Sequence, residues 1–416
     1  MAAKSKGAVP LKTKLVRDQF AAFADPELKR WAHFENAGGS YMCRQVQSML
    51  DGYFTGTRVQ PYYPYDIAEK AGAAMDAGYQ TMAELLNVPV HSVYVGPSSS
   101  ANTYVLSQAF AGLIPKGGNI IVTNQDHEAN CGFWRRLGER GVEVREWSVN
   151  DQGVLEADAL WPLIDKKTYF AAFPHASNII GMINPVADLV RGLRERGVYS
   201  VVDGVSYVPH AWPDLGELGA DVYFFSAYKT YGPHQGVMVI GDDLAAKLPN
   251  QGHVFNDPEQ RKRLNPSGPD HAQVAALAGI GDYVRALYQG HFKGKASLTE
   301  QARAVSRLQR EHESKHLHTL MAAIAGLKTF RLLGPSDVAL KVPTVSLYHP
   351  KMTGAELVKK LSRYRLMTGG GHFYCPRVFQ RLGLDPNRAA LRLSFVHYVK
   401  GKDIERLAEV LQALDR

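Results

Sequence analysis

Cysteine is scarce in this chain of 416 residues: only Cys43, Cys131 and Cys375 occur. Three scattered thiols cannot build a disulfide framework. Long apolar runs are missing as well. Those in "DVYFFSA" and "GNIIVT" fall far short of the ~20 residues that span a bilayer. The first residues, "MAAKSKGAVPLKTK", are basic but lack an apolar core of signal-peptide length, so we read a loose arm and a cytoplasmic protein with no membrane partner. No internal repeat, low-complexity tract or metal-ligand spacing stands out. The formal charge of +8 is spread out, apart from short runs such as "QRKRL" and "LKTKLVRD". Without a zinc or RNA-binding signature, this reads as a solvated basic surface suited to small anions, not to nucleic acid.

What is present is ordinary globular material, 45% hydrophobic and 21% charged, with length enough for two or three domains. From Val93 to about Val239, β-rich runs ("GNIIVTN", "GVEVREWSV", "TYFAAFP", "VYSVVDG", "ADVYFFSA", "GVMVIG") alternate with helix-length stretches. The pattern predicts an α/β fold, a mainly parallel sheet between helices, with ligands outside the carboxyl ends of its strands. After about Gly290 come a long charged helix, roughly Ser297 to Ala325, and a smaller α+β portion. We therefore expect an N-terminal segment (1–35) joining a small C-terminal domain (291–416), with a large domain (36–290) between them.

Asp203 closes the apolar run "VYSVVD", and Lys229 follows the strand "DVYFFSA" twenty-six residues later. Alone, the first is a turn aspartate and the second a surface lysine. Together they match the needs of pyridoxal phosphate. A desolvated lysine loses its proton readily and can hold the cofactor as a Schiff base. An acid at the pyridine nitrogen keeps the ring protonated as an electron sink. "VYVGPSSSANTYVLSQAF" supplies the phosphate cradle, with Ser98, Ser99 and Ser100 opening a helix after a Gly-Pro turn. Ser226 and Tyr228 are further donors beside Lys229, and His127 in "TNQDHEAN" is positioned to stack on the ring.

In this order and spacing the motifs resemble the class V aminotransferase group of fold-type I pyridoxal-phosphate enzymes, above all the cysteine desulfurases and their desulfurase-like relatives. The resemblance runs from "FENAGGS" to the C-terminal helix. It implies a large domain with a seven-stranded, mainly parallel sheet and a homodimer with active sites near the subunit interface. By the same resemblance, Asn178 in "SNIIGMINPV" lies near the cofactor's phenolic oxygen. Arg392 in "LRLSFVHY" pairs with the α-carboxylate of an amino-acid substrate, as a bidentate guanidinium suits, and Asn36 joins it in substrate binding. Ser206 stands where desulfurases usually carry glutamine or histidine, Tyr228 where they carry histidine, and Gly268 where they carry a threonine that reaches the neighbouring subunit's phosphate.

The family performs desulfuration, carbon–sulfur cleavage, transamination and epimerisation. Cys375, in the glycine-rich loop "GGGHFYC" entering a helix, is the discriminating residue. As a thiolate favoured by the helix N-terminus, Arg377 and His372, it would attack substrate sulfur. The expected reaction is cleavage of cysteine or an S-substituted cysteine by desulfuration or β-elimination, the alternative being transamination or epimerisation of a specialised amino acid. The aromatics of "RVQPYYPYD", with "ENAGGSY", are expected to line the entrance.

Overall fold

The computed structural model describes residues 9–415. Among these residues, twelve strands form two sheets. In chain order they are β1 (Ala32–Phe34), β2 (Val93–Gly96), β3 (Asn119–Thr123), β4 (Glu143–Trp147), β5 (Thr168–Pro174), β6 (Tyr199–Asp203), β7 (Val222–Ser226), β8 (Gly236–Ile240), β9 (Arg331–Leu333), β10 (Thr344–Tyr348), β11 (Leu366–Gly371) and β12 (Ala390–Ser394). The larger sheet has seven strands in the order β2-β8-β7-β6-β5-β3-β4. Only β8 runs against its neighbours, so the sheet is mainly parallel, as expected.

Strand periodicity sorts the side chains of this sheet into two cores. Ile121, Val202, Tyr223 and Phe225 join one cluster, with residues of the helices Arg44–Gly56, Asp66–Leu86 and Ala278–His291. Ile120, Val122, Val201, Val222 and Phe224 join the other, beside the helices Ser99–Ala111 and Glu128–Arg135. Covered on both faces, β5 to β8 are almost wholly buried. The edge strand β4, in contrast, exposes Glu143 and Glu146, charges that discourage edge-to-edge pairing.

The second sheet, β1-β11-β12-β10-β9, packs against the helices Leu298–Ala325, Gly354–Ser362 and Gly401–Leu414 around its own apolar cluster. The long helix begins where the sequence indicates: Ser297 caps it and Glu300 returns a hydrogen bond, a capping box. β1 reaches this sheet from the N-terminal side and pairs parallel with β11.

Two local expectations are corrected. Residues 1–8 of the basic arm lie outside the described residues, but the arm is not loose from Lys12 onward. Lys12 bonds through its N–H to His291 (2.8 Å) and through Nζ to the Gly290 carbonyl (2.7 Å), and a helix runs Thr13–Asp18. The glycines of "LMTGGG" are strand, not loop: Gly369, Gly370 and Gly371 pair with Arg392, Leu391 and Ala390. A Cβ on Gly370 would overlap the Gly354 backbone, so glycine here serves close helix–strand packing. Separately, the aromatics of "RVQPYYPYD" are exposed: Tyr62 hydrogen-bonds Asp76 of the helix Asp66–Leu86 (3.0 Å), and Tyr63 and Tyr65 stack on each other.

Candidate active site

Five segments leave carboxyl strand ends on the same rim of the larger sheet: Ser98 after β2, His127 after β3, Asn178 after β5, Asp203 at the end of β6, and Ser226 to Lys229 at and after β7. They converge on one cavity of about 490 Å³, which Ser98, Ser99, Ser100, His127, Asn178, Asp203, Ser206, Ser226, Tyr228 and Lys229 all help to line. Parallel topology is the cause, because it sends every β-to-α loop to one edge.

Lys229 is 8% exposed and ends a single turn of 3-10 helix after β7. Burial first, then nearby Arg392, pushes its ammonium down to about 8, although Asp203 and Glu35 oppose the shift. Asp203 is 5% exposed, and its carboxylate accepts the Val205 N–H at 2.8 Å. Burial lifts this carboxyl to about 6, with the Val205 hydrogen bond and Lys229 pulling the other way, so it is ionised at neutral pH.

His127 caps the helix Glu128–Arg135, its Nδ1 accepting the Ala129 N–H at 3.0 Å. A backbone N–H can only donate, so Nδ1 is unprotonated and the neutral ring carries its proton on Nε2. Burial, Lys229 and Arg392 hold this imidazole down to about 3.

At the far end, Ser98 Oγ caps the helix Ser99–Ala111 by accepting the Ala101 N–H (3.1 Å), and the Ser99 and Ser226 hydroxyls pair at 2.8 Å. The Ser98–Ser99 backbone lies directly on β8, where a Cβ on Gly236 would overlap it. The result is a helix N-terminus ringed by hydroxyls, an anion site by charge and by donor count. Buried amine, opposing carboxylate, neutral flat imidazole and anion cradle together fit pyridoxal phosphate.

Three expected site residues do not line this cavity. Asn36 is buried beneath the lysine loop; its amide donates to the Lys229 carbonyl (3.4 Å) and its Oδ1 accepts from the Tyr398 hydroxyl (3.0 Å). With Ser40, which bonds the Tyr228 carbonyl and the Tyr231 N–H, it props up the Lys229 turn. Arg392 is 4% exposed and ion-paired with Glu35 at 3.0 Å. Cys375 is 1% exposed, and its thiol donates to the carbonyls of Gln125 and Asp126 (both 3.1 Å). Burial, then Cys131 and Asp126, raises that thiol well above its ordinary value. Arg377, expected to favour a thiolate, is instead ion-paired with Glu128.

Other residues were not anticipated. His234 stacks on Tyr228 (4.8 Å between centroids, 10° between planes) and lines the cavity, as do Arg136 and Tyr374. The motif "KTYGPHQG" held a signal for His234 alone. Phe373 and Tyr374 both have left-handed backbone (φ 50° and 56°), a conformation costly for non-glycine residues. It is held by Asn178, whose amide donates to the Phe373 carbonyl (3.0 Å), and by the Glu128 N–H to the Tyr374 carbonyl (2.8 Å).

A family model described as Aminotransferase class-V matches residues 32–272. The chain belongs to this family. Its members and the cysteine desulfurases depend on pyridoxal phosphate, so this class-V protein is a pyridoxal-phosphate-dependent enzyme. It is 30% identical to the aminotransferase-like protein FGM3 of Gibberella zeae, over 96% of this chain and 97% of that one. To a cysteine desulfurase of Yersinia pestis it is 26% identical, over 85% of each chain. Its fold is that of the cysteine desulfurase of Thermococcus onnurineus, with a TM-score of 0.84 at 19% identity, covering 100% of this chain and 99% of the other.

Proposed function

We propose that this class-V enzyme cleaves the carbon–sulfur bond of cysteine or an S-substituted cysteine by β-elimination, releasing a thiol, pyruvate and ammonia. The observation that carries the reading is the single cavity holding a buried amine of lowered basicity, an ionised carboxylate and a hydroxyl-ringed helix terminus. Bound pyridoxal phosphate supplies an electron sink for a carbanion at the substrate's α-carbon. Ser98, Ser99, Ser100 and Ser226 would hold its phosphate, with Tyr228 beside them, and Asn178 and Ser206 stand on the cavity wall. Asp203 would be the acid that keeps the cofactor's ring nitrogen protonated, and His127, uncharged, would offer the ring a flat neutral partner. Lys229 would be the residue that holds the cofactor and takes the substrate's α-proton; an amine titrating near 8 is partly unprotonated at neutral pH and suited to that work.

Elimination is favoured over persulfide formation because the Cys375 thiol is buried and committed to two backbone carbonyls, and a nucleophile needs an accessible thiolate. The likeness to an aminotransferase-like protein over nearly the full chain supports a second reading, transamination of a specialised amino acid. Incubating the holoenzyme with cysteine and S-alkyl cysteines separates the two. Thiol plus pyruvate without a keto acid supports elimination; product formation only with a keto acid supports transamination; sulfide with alanine would return Cys375 to the mechanism.

The enzyme is further read as a homodimer with its cavities near the interface. Val254 and Phe255 are 89% and 76% exposed on one surface segment, apolar area that a partner subunit would cover, and light scattering of the holoenzyme tests this. All three cysteines are free thiols, which accords with a cytoplasmic location. No helix among the described residues is long and apolar enough to cross a membrane.

A further inference from the structure

A groove of about 770 Å³ shares no lining residue with the cofactor cavity. Its wall carries six cations from four segments. Lys14 and Arg17 come from the helix Thr13–Asp18, Lys29 and Arg30 from the turn before β1, Arg44 from the start of the helix Arg44–Gly56, and Lys400 from just before the helix Gly401–Leu414. Asp18 is the one acid on this wall among the described residues, and Lys14 holds it at 2.7 Å. Arg30 faces Glu27 at 3.7 Å. Arg17, Lys29, Arg44 and Lys400 have no ion-pair partner among the described residues, and residues 1–8 contain two further lysines and no acid.

Two of these cations are fixed in place before any ligand arrives. Arg17 Nη1 donates to the Tyr398 carbonyl at 3.0 Å, and its Cζ lies 3.5 Å from the centre of the Phe23 ring. Arg44 Nε donates to the Asp18 carbonyl at 3.1 Å, which leaves its terminal nitrogens for another acceptor. Cations gathered in one groove repel one another. Burial, then Arg17 and Lys402, lower the Lys400 ammonium against the pull of Asp403, whose carboxylate is engaged with Arg406 at 3.5 Å. An anion in the groove would relieve that repulsion, and a single carboxylate is too little charge for four unpaired cations. We propose that the groove is a binding site for an oligophosphate, a small molecule carrying two or more linked phosphates. Guanidinium forks match phosphate oxygens, ammonium groups add point charges, and a phosphate chain reaches several of them at once. The site is separate from the one proposed for carbon–sulfur cleavage and does not depend on it.

The test titrates inorganic triphosphate and ATP into the holoenzyme by calorimetry, at about 0.15 M salt so that weak surface attraction is screened. Using the holoenzyme keeps both probes out of the Ser98–Ser100 cradle. Triphosphate should bind with one site per chain and raise the midpoint of thermal unfolding as its concentration rises. Lys29→Ala combined with Arg44→Ala should weaken it by about tenfold or more. Arg261→Ala combined with Lys262→Ala removes the same charge from the run "QRKRL" and should change binding by less than about twofold. ATP bound as tightly as triphosphate identifies the phosphate chain as the recognised part, and tighter ATP identifies a nucleotide; either supports the proposal. Should the Lys29 and Arg44 double variant not fold, Lys29→Glu at an exposed position should give a comparable loss. No saturable binding of either probe would overturn the proposal. So would equal losses in the two double variants, the mark of net charge alone, or capture of polyglutamate with no binding of triphosphate.

Discussion

Replacing Lys229 with methionine should make the cofactor-free protein more stable. Without cofactor, the amine at neutral pH is mostly a buried ammonium, held at about 8 in place of its ordinary 10.5 chiefly by burial. At about 1.4 kcal/mol per unit, that displacement makes the charged form costly by roughly 3 kcal/mol relative to the unfolded chain. Between pH 8 and 10.5 the unfolded chain keeps a proton that the folded chain has shed, so this group's contribution to stability improves as pH rises. Below that window its penalty is complete; above it the penalty is gone. Methionine is unbranched and similar in length, carries no charge, and fills the same space. Asp203 loses a favourable cation in the variant, which trims the gain at neutral pH without reversing it. Urea unfolding of both cofactor-free proteins should therefore show the variant ahead by about 2–3 kcal/mol at neutral pH, with the gap closing near pH 10.5. A variant no more stable at neutral pH, or a gap that persists at high pH, would show that Lys229 is not a strained buried cation.

Further outcomes follow from the same geometry. Asp203→Asn should retain the cofactor's visible absorbance but lower thiol release on the order of 100-fold, since a neutral amide cannot stabilise a protonated ring nitrogen. Cys375→Ala should leave thiol release within about twofold while costing about 1 kcal/mol in denaturant unfolding, through lost packing and two carbonyls left without their thiol donor; loss of activity in a folded variant would contradict the elimination reading. Gly236→Ala should weaken cofactor binding by about tenfold or more in titrations of the cofactor-free protein, because the new Cβ overlaps the Ser98–Ser99 backbone and must push the phosphate cradle outward. Circular dichroism should report the fold retained in that variant.

Local chemistry carried much of this protein's organisation on its face. Strand-length apolar runs separated by helical stretches determined the parallel sheet, and that sheet determined the rim on which Ser98, His127, Asn178, Asp203 and Lys229 assemble. Those residues were legible because each lies at, or within a few residues of, the carboxyl end of a strand, where chain order and spatial order coincide. Pairings between segments far apart in the chain were not legible. Glu35 and Arg392 are separated by hundreds of positions, and only the packing of β1 and β12 around β11 brings their charges together. Cys375 was ambiguous for the same reason: a thiol after three glycines can face a cavity or a core. The backbone carbonyls of Gln125 and Asp126, from the loop after β3, decided for the core. Period and spacing thus specify which residues reach the rim, whereas long-range contacts set which of them are free to act.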